Sequence, residues 1–224
     1  MGYYYNPEPP PRQGSPVAQL IGIGLALLLM WQGYVHFIAP HMPWYEPEEV
    51  AATEEKAAPK TASITVFSQC DKRWRNKRYG DGNMCANGCG PTTMATAITA
   101  LTGKEVTPSQ TADYALAAGQ YVPGQGSAGT LAPVLGKHWG VNVRAIPRTE
   151  AAVRDALKVG MVYLGGAGPK PFTPPPGHIL LVRSLNEDGT VEIANSAMPE
   201  TNNHPWSLGS ILPNAGTVFA LSRS

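Results

Sequence analysis

The sequence predicts an α+β fold in which a helical part comes first and an antiparallel sheet second, with a single transmembrane helix ahead of both. Apolar residues recur at helical spacing in short stretches between residues 90 and 158. Apolar runs of strand length, separated by turn residues, follow after residue 160. This segregation of helices and strands is typical of α+β domains. An uncharged apolar run at 17–38 is long enough to cross a hydrocarbon core as a helix.

The N-terminal quarter divides into three parts by composition. Residues 1–16 hold a tyrosine triplet and five prolines with little aliphatic content, which predicts a disordered tail. Residues 17–38 are the expected transmembrane helix, and the proline- and glutamate-rich residues 39–62 are an expected linker. A cleaved signal peptide is the alternative, but its apolar region would be shorter, with a basic segment before it and a small-residue cleavage site after it.

These features predict a single-pass membrane protein whose C-terminal domain, residues 63–224, lies outside the cytoplasm. Arg12 is the one basic residue before the apolar run, and Lys56 and Lys60 follow it, so the positive-inside rule gives this orientation only weak support. The cysteine count adds modest support, because a disulfide between two of three cysteines suits an oxidising compartment. From residue 63 onward fourteen Lys and Arg stand against ten Asp and Glu. This balance is compatible with an anionic surface such as a cell wall, but an ordinary solvated surface is the preferred interpretation. The net charge of +1 for the whole chain argues against a nucleic-acid partner that needs overall basicity.

The helical part is expected to contain a short strand and four helices, at 64–67, 90–102, from 107 onward, 130–139 and 149–158. Pro91 suits the first turn of the first helix, and Gly103 ends its apolar periodicity. Thr107 is the expected cap of the second helix, with Pro108 at its first position. Gly160 is expected to stop the last helix.

The remaining strands are expected at 141–146, 161–164, 178–185, 190–194 and 217–221. The pair Asp188-Gly189 predicts a hairpin between the strands on either side of it. Residues 165–177 are rich in glycine and proline, which predicts a loop.

Cys89 is the most informative residue of the chain, because it stands between two glycines at the start of a predicted helix. The helix dipole there favours the thiolate, so a lowered thiol pKa is expected. His178 stands at the head of an apolar strand and supplies an imidazole. A thiol and an imidazole in this combination predict a cysteine hydrolase.

Such an enzyme also needs a group that orients the imidazole and donors for the oxyanion. Asn195 ends the strand that the hairpin pairs with the histidine strand, so it is the expected orienting residue. Asp188 is less suitable because the Asp-Gly turn uses it. Gln69, upstream of the nucleophile, is expected to donate its side-chain amide to the oxyanion, beside the backbone N–H of Cys89.

The three cysteines leave two interpretations open. Cys70 and Cys85 can form a disulfide in an oxidising compartment, which leaves Cys89 as the free thiol. Alternatively all three are reduced and two of them are buried. A zinc site is disfavoured because paired Cys-x-x-Cys knuckles are lacking, and no cofactor is expected.

Three sequence blocks resemble the signature blocks of papain-like bacterial peptidases. They are QCDKRW at 69–74, GCGPT at 88–92 and GHILLV at 177–182. They are most similar to the bacteriocin-processing (double-glycine leader) peptidase family and its stand-alone relatives. The resemblance spans residues 64–222 and implies a papain-like cysteine peptidase fold. It also implies these roles: Cys89 as nucleophile, His178 as base, Asn195 as orienting residue and Gln69 in the oxyanion hole.

The chain departs from that family in two ways. The interval between Gln69 and Cys89 is longer than in papain and carries two cysteines and, at 72–78, five basic residues. The chain also contains no Gly-rich phosphate loop and no ATPase segment, unlike the transporter-linked members. Leader-peptide processing is therefore not implied.

The leading hypothesis is a membrane-anchored cysteine peptidase that hydrolyses peptide bonds, with peptidoglycan stem or cross-link peptides or a surface protein precursor as substrate. Two alternatives stay open: a catalytically silent papain-like binding module, and a thiol acyltransferase or transpeptidase with the same residues. The presence of both Cys89 and His178 argues against the silent module. Apart from the substrate and the membrane, no partner is indicated.

Overall fold

The structure is a computed structural model that describes residues 64–167 and 177–224. Within these residues no helix combines the length and the apolar character that a membrane span requires. The tail expected at 1–16, the transmembrane helix at 17–38 and the linker at 39–62 lie outside the described residues. So does most of the loop expected at 165–177.

The described residues form an α+β fold, which confirms the predicted class. The helices are α1 Met84–Asn87, α2 Cys89–Thr102, α3 Pro108–Ala117, α4 Leu131–Trp139, α5 Glu150–Leu157 and α6 Leu208–Ile211. The strands are β1 Arg78–Tyr79, β2 Gly82–Asn83, β3 Tyr121–Val122, β4 Gly126–Ser127, β5 Val141–Ala145, β6 Gly160–Ala167, β7 His178–Leu185, β8 Val191–Ala194 and β9 Thr217–Arg223. Short 3₁₀ helices lie at Pro199–Asn203 and Leu212–Asn214.

In the described part of the chain, strands β5 to β9 form one antiparallel sheet in the order β5–β9–β6–β7–β8. Side chains alternate between its faces, as β6 illustrates. Met161 and Tyr163 join a core with α2, α3 and α4, whereas Val162 and Leu164 join a second core with α5 and α6. Because β7 is covered on both faces, its sequence is a continuous apolar run rather than an alternating one.

The helix signals of the sequence are confirmed around the start of the domain's helical part. Helix α2 begins at Cys89, and Gly103 ends it in the left-handed region with φ 72°. Thr107 caps α3 in a capping box, because its Oγ1 accepts from Gln110 N–H at 3.3 Å while its own N–H donates to Gln110 Oε1 at 2.8 Å. Because α2 begins at Cys89, the sulfur of this residue lies at the first turn of the helix.

The strand expected at 64–67 is wrong. Residues 64–67 belong to none of the described strands. Phe67 N–H donates to Thr96 Oγ1 of α2 at 3.2 Å, and Gln69 N–H donates to Ser196 O at 2.9 Å. The segment therefore lies along α2 and leads Gln69 towards the end of β8.

Two expectations around β6 also need correction. Gly160 does not stop α5, which ends at Leu157; it begins β6, where a side chain would overlap the carbonyl oxygen of Leu221. Residues 165–167, where the sequence predicts a loop, belong to β6, because this strand continues to Ala167 through a register shift after Gly165. This irregularity sets Ala167 opposite His178 at the start of β7.

Two small hairpins that the sequence analysis missed flank the start of α2. Each has strands of two residues, β1–β2 and β3–β4, too short to show a period. Asp81 ties them together: its carboxylate accepts from the Tyr121 hydroxyl, from Asn87 Nδ2 at 2.9 Å and from Gly124 N–H at 3.2 Å. Asn87 lies two residues before Cys89, so this network supports the loop that leads into the helix.

Candidate active site

Cys89 is the first residue of α2 and, among the described cysteines, the one that is not in a disulfide. The glycines on both sides of it are required by close packing. A side chain at Gly88 would overlap the carbonyl oxygen of Met84, and one at Gly90 would overlap Ser127. Gly88 provides no side-chain cap, so the first-turn N–H groups of α2 are not taken by a capping oxygen. The backbone N–H of Cys89 is one of these groups.

His178 and Asn195 form a buried hydrogen-bonded pair. The hairpin of β7 and β8 brings them together, with His178 Nε2 2.8 Å from Asn195 Oδ1. Both residues are shielded from solvent, with exposed fractions of 4% and 0%. The sequence places these residues 17 apart, and the Asp-Gly turn between the strands closes the distance.

The partners of Asn195 fix the tautomer of the imidazole. Asn195 Oδ1 also accepts from Ala197 N–H at 3.1 Å and from Met198 N–H at 3.2 Å. Two backbone donors on the same atom identify it as the oxygen of the amide, which cannot donate. His178 Nε2 must therefore carry the proton of this bond, and Nδ1 of the neutral ring keeps its lone pair.

The nucleophile helix is joined to the histidine strand next to this pair. Thr93, one helical turn after Cys89, donates its hydroxyl to Ile179 O at 3.3 Å. Ile179 follows His178 directly, and its backbone N–H is among the groups that lower the pKa of Cys89. The thiol and the imidazole therefore lie at the same junction of α2 and β7.

Burial governs the protonation of both groups. It raises the pKa of the Cys89 thiol above its usual range, although backbone N–H groups of Ile179, Gly90 and Cys89 lower the pKa in part. It lowers the pKa of His178, which the bond to Asn195 partly offsets. The prediction that the helix N-terminus lowers the thiol pKa is wrong, because lost solvation outweighs the first-turn donors. Burial therefore shifts the pKa of each group in the direction of its neutral form.

Gln69 is buried against Ser196, the residue after Asn195, with 4% of its surface exposed. Its Nε2 donates to Cys85 O at 2.7 Å, and its Oε1 accepts from the Ser196 hydroxyl at 2.9 Å. The main chains of Gln69 and Ser196 are bonded as well. One N–H of the amide is thus engaged and the amide plane is fixed, while the second N–H of the same nitrogen is left to donate.

A disulfide joins Cys70 and Cys85. Cys70 directly follows Gln69, and the carbonyl of Cys85 holds the amide of that glutamine. The disulfide therefore joins the residue that follows Gln69 to the residue whose carbonyl accepts from the Gln69 amide. Within this insertion Trp74 packs into the core and donates its indole N–H to Ser68 O at 2.8 Å.

The structure thus gathers the four residues that the sequence analysis selected around the meeting point of α2, β7 and β8. It adds three polar residues that no motif indicates: Thr93, Ser196 and Asn202. Ser196 has the one usable signal, since it follows Asn195 directly. Thr93 and Asn202 make contacts set by tertiary packing. In the described ranges 64–167 and 177–224, no group of three or more His, Cys, Asp or Glu side chains is placed to hold a metal ion.

No protein-family model and no curated protein matches the chain. Among solved structures, it is similar to the peptidase domain of Streptococcus ComA, a bifunctional ABC transporter involved in quorum sensing. The identity is 13% and the TM-score 0.48, over 66% of this chain and 99% of that one.

Two further solved structures are similar to this chain. For a double-glycine-motif protease from an AMS/PCAT transporter in complex with the leader peptide, the identity is 11% and the TM-score 0.45, over 68% of this chain and 96% of that one. For the Amb a 11 cysteine protease, a ragweed pollen allergen, in its proform, the values are 15% and 0.37, over 75% and 68%. These are the kinds of protein that the sequence blocks resemble. At these TM-scores the case for a catalytic site stands on its geometry.

Proposed function

We propose that this chain is a cysteine peptidase that hydrolyses peptide bonds, with Cys89 as nucleophile and His178 as general base. The observation that carries the proposal is the 2.8 Å hydrogen bond between His178 Nε2 and Asn195 Oδ1. Because that oxygen is also held by two backbone N–H groups, the neutral ring keeps its lone pair on Nδ1. The thiol of Cys89 is bonded to the backbone N–H of Ile179, the residue after His178. A base with a fixed tautomer and a thiol on neighbouring elements are what nucleophilic catalysis requires.

In the first half of the reaction, Cys89 Sγ attacks the carbonyl carbon of the scissile bond while His178 Nδ1 takes the thiol proton. The tetrahedral intermediate then collapses, the C–N bond breaks, and Nδ1–H protonates the departing amine. The product is an amine and a thioester on Cys89.

In the second half, water attacks the thioester carbonyl and gives one proton to His178 Nδ1. The C–S bond breaks and the proton returns to the sulfur, which releases the carboxylic acid and regenerates the thiol. Asn195 stays bonded to Nε2–H throughout and stabilises the imidazolium that forms in each half. The ring therefore keeps its orientation while Nδ1 gains and loses the proton.

The oxyanion of each intermediate is expected to receive two donors. One is the backbone N–H of Cys89 at the uncapped start of α2. The other is the second N–H of Gln69 Nε2, whose first N–H is held by Cys85 O. Fixed donors in a buried site stabilise developing charge without reorganising during the reaction.

The disulfide supports a location outside the cytoplasm, because disulfides persist in oxidising compartments. We therefore infer a peptidase domain anchored by the apolar segment at 17–38 and exposed to the extracytoplasmic space. The substrates that suit this place are peptidoglycan stem or cross-link peptides and precursors of surface proteins.

The proposal is tested with the full chain in detergent micelles, incubated with purified sacculi and separately with a fluorogenic peptide library. We expect new amino groups to appear with the wild type and to be lost with Cys89→Ala and with His178→Ala. His138→Ala is the matched control, because His138 is an exposed histidine on α4.

Cleavage that survives Cys89→Ala would overturn the mechanism. If library peptides are cleaved and sacculi are not, the chain is a peptidase but peptidoglycan is not its substrate. New amide links instead of free amines would identify an acyltransferase. Binding without turnover by both the wild type and Cys89→Ala would identify a silent binding module.

A further inference from the structure

The main chain of Asn195 leaves the sheet where β8 ends at Ala194. Its two polar groups then meet a single side chain, the carboxamide of Asn202. Asn195 N–H donates to Asn202 Oδ1 at 2.6 Å, and Asn202 Nδ2 donates to Asn195 O at 3.3 Å. The side chain of Asn202 thus satisfies the backbone N–H and C=O of Asn195, as a neighbouring strand does within a sheet.

The turn that follows Asn195 depends on this contact. Asn195 Oδ1 receives the N–H groups of Ala197 and Met198 from that turn, together with His178 Nε2 from β7. These three donors converge on one oxygen only while the main chain keeps its course through the turn. Asn202 joins the far end of the turn to its start, seven residues away in sequence.

Asn202 is itself anchored. It belongs to the 3₁₀ helix Pro199–Asn203, in which Thr201 is buried and donates its hydroxyl to Met198 O at 2.7 Å. Trp206 donates its indole N–H to Thr201 O at 3.0 Å, and its main chain is bonded to Val191 of β8 in both directions. The carboxamide of Asn202 is therefore fixed to β8, the strand that directly precedes Asn195.

We propose that Asn202 is a positioning residue for the candidate active site. It holds Asn195, and through Asn195 the imidazole of His178, in the orientation that keeps the proton on Nε2. Its catalytic consequence rests on the function proposed above. The tautomer of His178 can be measured whether or not the chain cleaves peptides, so the two ideas fail separately.

The test uses the full chain in detergent micelles, labelled with ¹⁵N-histidine, and the variants Asn202→Ala and Asn202→Asp. The imidazole ¹⁵N shifts report the tautomer and the pKa of His178, whose signals are identified by their loss in His178→Ala. The matched controls are Asn203→Ala and Asn203→Asp, because Asn203 is the next residue, has the same side chain and is exposed. Peptide cleavage gives kcat and KM for each variant.

The wild type and both Asn203 variants are expected to show one population with the proton on Nε2. Asn202→Ala is expected to show both tautomers in exchange and a kcat lower by about tenfold, with KM unchanged. Asn202→Asp keeps an acceptor for Asn195 N–H, so its kcat is expected between those of Asn202→Ala and Asn203→Asp.

The inference is overturned if Asn202→Ala keeps the Nε2–H tautomer and the kcat of Asn203→Ala. A rise in KM with kcat unchanged would overturn it as well, because that pattern reports substrate binding and not the chemical step. If Asn202→Ala does not fold, Asn202→Asp decides in its place: a tautomer and a kcat equal to those of Asn203→Asp would overturn the inference.

Discussion

The most demanding prediction concerns the substitution Gln69→Ala. If the second N–H of Gln69 Nε2 donates to the oxyanion, its loss removes one of two donors. Removal of one such donor lowers kcat by about 10²–10³, which is about 2.7–4 kcal/mol of transition-state stabilisation. Because the oxyanion exists only along the reaction path, KM is expected to change little.

The same substitution has a separate effect on stability. It leaves the Ser196 hydroxyl and the Cys85 carbonyl without the partners that bond them at 2.9 and 2.7 Å. A buried polar group without a partner costs about 1–3 kcal/mol. The free energy of unfolding is therefore expected to fall by about 2 kcal/mol or more, which lowers the melting temperature.

The assay combines kcat and KM on a cleaved peptide with thermal unfolding of each variant. Gln125→Ala is the matched control, since Gln125 is an exposed glutamine in the turn between β3 and β4. Gln69→Glu keeps the shape of the side chain but removes both N–H donors, so it is expected to lose kcat like Gln69→Ala. A melting temperature that falls while kcat stays at the value of Gln125→Ala would refute the oxyanion role and leave Gln69 a structural residue.

Three further predictions follow from the contacts of the site. The acidic limb of the kcat/KM profile requires a neutral base, so its midpoint is expected below the ordinary histidine pKa of 6.5. Asn195→Ala removes the hydrogen bond that raises the pKa of His178, so the pH–rate profile of this variant is expected to show the limb at still lower pH. A limb that moves to higher pH would contradict this prediction. The double variant Cys70→Ser/Cys85→Ser is expected to have a lower kcat, a nearly unchanged KM and a lower melting temperature. The reason is that the disulfide joins the residue after Gln69 to the residue whose carbonyl holds the Gln69 amide. Unchanged kcat and KM would show that the disulfide does not position Gln69. Thr93→Val removes the 3.3 Å bond between α2 and β7 without changing side-chain size, and we expect a kcat lower by about three- to tenfold and a lower melting temperature. Thr92→Val is the control, because its wild-type hydroxyl is buried without a partner: its kcat is expected to stay at the wild-type value and its melting temperature to be unchanged or higher. Equal kcat values in the two variants would contradict a positioning role for Thr93.

Local signals in the sequence were sufficient for the elements that depend on local chemistry. The capping box of Thr107 and Gln110, the αL glycine after α2 and the Asp-Gly hairpin each involve residues within four positions of one another. Their physics is contained in the segment itself, so the structure reproduces them. Together they place Cys89 at a helix start and His178 on the strand paired with β8, which ends just before Asn195.

Tertiary contacts decided the rest. The segment at 64–67 has strand-forming residues, but Phe67 N–H donates to Thr96 of α2, and just after the segment Gln69 N–H donates to Ser196 in the loop after β8. The thiol pKa depends on how deeply the first turn of α2 is buried, which neither the glycines nor the dipole reveals. Asn202 could not be selected because asparagine is common in turns, and only the folded turn brings it to Asn195.

The central claim is that the sulfur of Cys89 attacks a peptide carbonyl with His178 as its base. Mass spectrometry of acid-quenched reactions, followed by digestion, tests it directly by locating the acyl group on the chain. The claim predicts a thioester on the peptide that carries Cys89 at early times, absent in Cys89→Ala and strongly reduced in His178→Ala. Product formation with no acyl group on Cys89, or with the acyl group on another residue, would contradict it.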